Sequence, residues 1–124
     1  MRLTIGWVLL LITNLASLSF GASIAVYPRM AAPCDEAMLR ALGVATIGMG
    51  LFGAMITAAA YRRRERWSWF ALWYLPFFWL AHLTGELPPG HDRVHQLVLL
   101  AMSLLGLTLP FKEFGSARVN DAAR

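Results

Sequence analysis

Three histidines, His82, His91 and His95, fall in one stretch of this 124-residue chain, with the carboxylates Glu86 and Asp92 among them. Glu86 follows His82 by four residues, and His95 follows His91 by four. That spacing puts each pair on one face wherever the chain is helical. Imidazole exchanges a proton near neutral pH, and a carboxylate beside it can orient the ring or share the proton. Imidazoles also suit zinc, copper or iron. Three readings of the cluster stay open. The first is structural: His82 bonds Glu86 or a nearby carbonyl, while His91, Asp92 and Arg93 solvate the start of a helix. The second is a metal or haem site using His91 with His95, or His82 facing His95, although the chain has no HExxH motif and only one cysteine, Cys34. The third is acid–base work on a lipid. There His82 and Glu86 are the catalytic pair, protonating or deprotonating a double-bond carbon. Asn14, Tyr74, Phe78, His91, Asp92 and His95 are then the ligand contacts, with Asn14 or Tyr74 holding a hydroxyl. No resident metal or cofactor is assigned.

The lipid reading follows from what surrounds the cluster. Hydrophobic residues make up 58% of the chain and charged ones 15%, against about 25% charged in a typical soluble domain. Arg62-Arg63-Arg64-Glu65-Arg66 separates an uncharged run of 21 residues, Ala41 to Tyr61, from another of 15, Trp67 to Ala81. Four arginines so close together do not sit in hydrocarbon, so they form a hinge at a membrane face. A formal charge of +4 would suit nucleic acid in a soluble domain. Here the arginines gather at the ends of apolar runs, and no nucleic-acid partner is expected. A lone cysteine excludes an internal disulfide or a paired-cysteine redox relay.

A span needs about 20 residues, so the chain is a single domain of four transmembrane helices near residues 3–26, 38–61, 67–83 and 93–110. The fold class is an all-α, polytopic bundle in up-down-up-down order. Arg2, the apolar run after it and the small residues Gly21 to Ala25 also resemble a signal peptide. The length of that run favours a retained helix. With both termini inside, the inner side carries Arg2, Arg62, Arg63, Arg64, Arg66, Lys112, Arg118 and Arg124, and the outer side Arg29, Arg40 and Arg93. Eight against three places the ends in the cytoplasm of an inner-membrane protein.

Asn14, Ser17 and Gly21 share a face of helix 1, which should look into the bundle. Asp35 and Glu36 complement the dipole at the start of helix 2. Helix 2 is small-sided, with Gly50, Ala54 and Ala58 at four-residue spacing, so it sits centrally or contacts another subunit. Helix 3 is its opposite in shape. Trp73, Tyr74 and Phe77 lie near its middle, and Pro76 is placed to kink it there. Tyr74, Phe78 and His82 fall on one of its faces.

A four-helix membrane unit rich in aromatics, with the spacing His82-x-x-x-Glu86, resembles the EXPERA superfamily of sterol isomerases and sterol-binding proteins. The resemblance implies a flat lipid inside the bundle and proton shuttling by His82 and Glu86. The further acidic residue of the isomerases has no counterpart within a helix here. The expected partner is thus a membrane lipid or an isoprenoid- or sterol-like molecule, held between helix 3 and the small-residue faces of helices 1 and 2. The alternative is a non-catalytic accessory or homo-oligomeric subunit that binds partner helices through helix 2. An internal cavity lined by Tyr74 and Phe78 would favour the first, and a filled interior with an exposed small-residue stripe the second.

Overall fold

A long uncharged segment can satisfy its backbone amides and carbonyls internally only as a helix, and that is what these segments form. The computed structural model describes residues 1–28, 35–85 and 93–115. Helix α1 is Arg2–Val26, and α2 is Glu36–Ile56. A π-helical turn, Thr57–Tyr61, prolongs α2 towards the arginines. Two shorter helices follow, α3 (Arg66–Ala71) and α4 (Tyr74–Thr84). Then come α5 (Arg93–Thr108) and the short α6 (Phe111–Gly115). Among the described residues there is no strand, and the fold is an all-α bundle.

Asp35 starts α2 as a true cap, its carboxylate accepting a hydrogen bond of 3.0 Å from the Ala37 amide. This satisfies one of the amides that every helix start leaves open. The third helical segment is not continuous, as the expected 67–83 helix would be. It breaks at Leu72 and Trp73 and resumes at Tyr74. The cause is Pro76, which lacks an amide hydrogen and whose ring crowds the carbonyl four residues earlier, that of Leu72. That carbonyl accepts from the Leu75 amide instead, at 3.1 Å. The kink expected at Pro76 therefore lies one turn upstream of it.

Neighbouring helices run antiparallel. Gly21 of α1 meets Gly43 of α2, while Asn14 and Leu18 meet Gly50. Gly6 meets Gly106 and Pro110 at the other end of α5, and the Phe20 ring meets His95 near its start. Helix α1 is thus the centre, with α2 along one side and α5 along another, and α4 packs on α5. The α1–α2 seam is built on missing side chains. A Cβ on Gly43 would come 2.6 Å from the Ala25 amide nitrogen, and one on Gly50 would come 2.7 Å from that of Leu18. The packed row of α2 is Leu39, Gly43, Thr46, Gly50 and Gly53. The four-residue row Gly50, Ala54, Ala58 drifts out of the seam, and Ala58 is exposed.

Polar side chains are buried beside the apolar core of Leu10, Tyr61, Leu72, Leu75, Leu107 and Phe114, while many large apolar ones are exposed. Thr13, Asn14, Ser17, Thr46, Thr57, His82, Gln96 and Ser103 are buried. Ile5, Ile12, Leu15, Val44, Leu51, Phe52, Met55, Phe77, Leu97 and Leu105 are exposed. As expected, Asn14, Ser17 and Gly21 all face inward. Arg2–Val26 and Glu36–Tyr61 are each long and apolar enough to cross a membrane, and Arg93–Thr108 is apolar but shorter.

The arginine hinge closes with a defined geometry. The Glu65 amide donates to the Ala60 carbonyl at 3.1 Å, and the Arg64 amide to that of Tyr61 at 3.0 Å. These are the paired bonds of a Schellman helix end, whose penultimate residue is left-handed and usually glycine. Here that residue is Arg64, at φ 62°. Arg62 lies over the Trp7 ring at 5.5 Å, and Arg64 reaches Glu113 at 4.0 Å.

Candidate functional site

Side chains from three helical segments meet at the middle of α1. The Asn14 amide donates to the Leu10 carbonyl at 2.8 Å and to the Thr57 hydroxyl at 3.3 Å. The Tyr74 hydroxyl lies 2.7 Å from the Met49 carbonyl and 3.2 Å from Asn14 Oδ1, and it donates to this pair. Asn14 and Thr57 are fully buried. Gly53 makes the cluster possible, because a Cβ there would collide with Asn14 Oδ1 and with the Tyr74 hydroxyl. A phenolic oxygen has one hydrogen to give and two lone pairs. Tyr74 gives its hydrogen inward, and among the described residues nothing donates to its lone pairs.

Tyr74 also borders a groove. Helices α2 and α4 do not pack along one another, and between them lies a space of about 580 Å³ lined by Ala45, Gly48, Met49, Phe52 and Tyr74. It opens sideways onto the apolar outer surface. Gly48 has no atom within 4 Å of where its Cβ would be. The space is lateral, and Phe78 is not among its lining residues. The Phe78 ring instead lies 4.4 Å from the His82 ring. Tyr74 and His82 are eight residues apart, which is about 12 Å along a helix, so His82 stands away from the groove.

His82 is 2% exposed, and neither ring nitrogen has a hydrogen-bond partner among the described residues. The structural reading in which His82 bonds a nearby carbonyl is therefore not seen. Its neighbours are aromatic, with Trp79 at 5.7 Å and Phe78 closer. His95 approaches from α5, near enough for the charge of one imidazole to act on the other. Phe20 of α1 packs on both sides of this group, 5.2 Å from His95 and 5.9 Å from Trp79. Glu86, His91 and Asp92 lie outside the described residues. Among the described residues no three His, Cys, Asp or Glu side chains gather as a metal site.

No protein-family model matches this chain, and no curated protein or solved structure does either. The chemistry must therefore be read from the side chains. Of the expected contacts, Asn14 joins Tyr74, and Phe78 joins His82 and His95. They form two groups at different depths, not one. Thr57, Gly53 and Phe20 belong to those groups and were not anticipated. Thr57 carries a weak signal, as one of two threonines in the uncharged run Ala41 to Tyr61. Phe20 carries none.

Proposed function

We propose that this is a multi-pass membrane protein with four spans and cytoplasmic ends, which holds an apolar, lipid-like molecule in the groove between α2 and α4. The groove carries the reading: an apolar trough open to the bundle's outer surface, with the Tyr74 side chain at its wall. An isoprenoid- or sterol-like ligand would lie against Gly48, Ala45, Phe52 and the Tyr74 side chain. The exposed aliphatic residues around the bundle support a lipid environment, since a water-facing surface lacks such continuous apolar cover.

Proton chemistry on this ligand belongs to the same reading and to the likeness to sterol isomerases. His82, with Glu86, is the group to carry it. A ligand whose head rests at Tyr74 would need a rigid body of about 12 Å, and the rings that bury His82 would have to part, to reach the imidazole.

The accessory reading is favoured by two observations: the space at Tyr74 is lateral and not lined by Phe78, and α2 carries an exposed stripe. Ala41, Ala45 and Gly48 form an exposed row of small residues on α2, the kind of stripe on which a partner helix or a second copy packs. One variant separates the two. Gly48→Trp fills the groove without touching the interior. Native mass spectrometry of the wild type should show one co-extracted apolar lipid per chain, lost in the variant. Equal lipid content in both proteins would refute the ligand reading. Loss of an oligomer in the variant, with no lipid in either, would establish the accessory role.

A further inference from the structure

The hinge end of the bundle holds a second cavity, which shares no lining residue with the α2–α4 groove. Arg66, Trp69 and Phe70 of α3 and Phe111 and Phe114 of α6 enclose about 340 Å³. Its walls are held in place. The Trp69 indole donates to the Leu107 carbonyl at 2.9 Å. The same ring stands edge-on to Phe70 at 5.0 Å and lies 5.7 Å from Phe111. Phe114 is buried and packs on Tyr61 at 4.9 Å. Phe70 and Phe111 are each 61% exposed, so the mouth is open and apolar. Among the described residues, Arg66 is the only charged one of the lining. Arg64 and Arg40 have Glu113 and Glu36 within 4.0 Å, but among the described residues no carboxylate pairs with Arg66.

We propose that this cavity binds an anionic phospholipid of the leaflet at the hinge face, with the phosphate on Arg66 and the upper part of one acyl chain in the aromatic slot. A guanidinium presents its N–H groups in a planar fork that matches phosphate oxygens. Arg62 and Lys112 are exposed and close in sequence to the lining, and basic residues of this kind concentrate anionic lipid at a membrane surface. The aromatic walls offer a polar, tail-less phosphate nothing to bind, so the slot selects an amphiphile. Its volume is at the small end of the usual range of about 300–1,000 Å³, which suits part of one chain and not a whole two-chain lipid. The inference rests on the membrane reading above but not on the ligand of the other groove.

The test uses the full chain in nanodiscs of mixed phosphatidylglycerol and phosphatidylcholine, released for native mass spectrometry. One phosphatidylglycerol should stay bound per chain, in preference to phosphatidylcholine. Arg66→Gln should lower its occupancy about tenfold, the loss of one charge-assisted hydrogen bond. Phe70→Ala, at an exposed wall, should lower it as well. Arg63→Gln, at a neighbour outside the lining, should leave it unchanged, and so should Gly48→Trp. Equal retention of the two lipids would overturn the proposal. So would full retention by Arg66→Gln, or an equal loss in Arg63→Gln, which would mean diffuse charge attraction and no site. Unaltered melting temperatures show that each variant is folded.

Discussion

Replacing Gly50 by alanine adds one methyl group where α1 and α2 come closest, and its effect can be worked from the structure. The new Cβ would stand 2.7 Å from the Leu18 nitrogen, 2.8 Å from the Asn14 carbonyl oxygen and 3.0 Å from the Leu18 Cα. All three are backbone atoms of α1, so no side chain can turn aside. The helices must open from 2.7 Å towards the 3.4 Å of ordinary contact. A gap of 0.5–1 Å forfeits roughly a quarter to a half of each dispersion contact along the seam. Overpacking of this kind costs about 1–3 kcal/mol. Alanine's better helix propensity returns about 0.5–1 kcal/mol. A net loss of about 1–2 kcal/mol is expected. Gly48→Ala is the matched control, because its methyl group meets nothing within 4 Å and should give a neutral or stabilised protein. The assay is reversible denaturation in detergent micelles, followed by tryptophan fluorescence and circular dichroism. Equal midpoints for the two variants would refute the close-packed seam.

Two further outcomes follow from the hinge. Arg64→Gly should raise stability by about 0.5–1 kcal/mol, since a left-handed L-residue costs roughly 1–2 kcal/mol and the exposed Arg64–Glu113 pair returns little. An unchanged or lower denaturation midpoint would show that the turn carries no strain. Neutralising Arg62, Arg63, Arg64 and Arg66 together should give a mixed orientation, read by labelling Cys34 with an impermeant maleimide in intact and in permeabilised cells. A single, unaltered orientation would mean that the remaining charges suffice.

The sequence displayed what depends on local spacing. Uncharged runs located α1, and α2 together with its π-helical extension to Tyr61, to within two residues at each end, because apolar length and helix length are the same quantity here. The inward face of α1 was legible from Asn14, Ser17 and Gly21 for a similar reason. Pro76 announced a break, but its position one turn earlier follows from the ring's reach to the Leu72 carbonyl. The missed features all depend on register between helices. Thr57 lies 43 residues from Asn14, and no periodicity within α2 reveals which residue of α1 stands opposite. Tyr61 donates to the Gly106 carbonyl at 2.6 Å across 45 residues. Tyr74, Phe78 and His82 share a face, as their spacing requires, but they meet different neighbours along it.

The π-helical turn from Thr57 to Tyr61 has a consequence for how this chain tolerates change in length. Such a turn carries one residue more than the α-helical turn that would join the same flanks. The surplus sets the rotation at which Tyr61 and the arginines leave α2. Elsewhere in α2 a one-residue deletion swings everything downstream through about 100°. Removing exposed Ala59 would convert the wide turn into an ordinary one and leave both flanks in phase. The segment just before the hinge is therefore the place where this helix can lose a residue and keep its bearings.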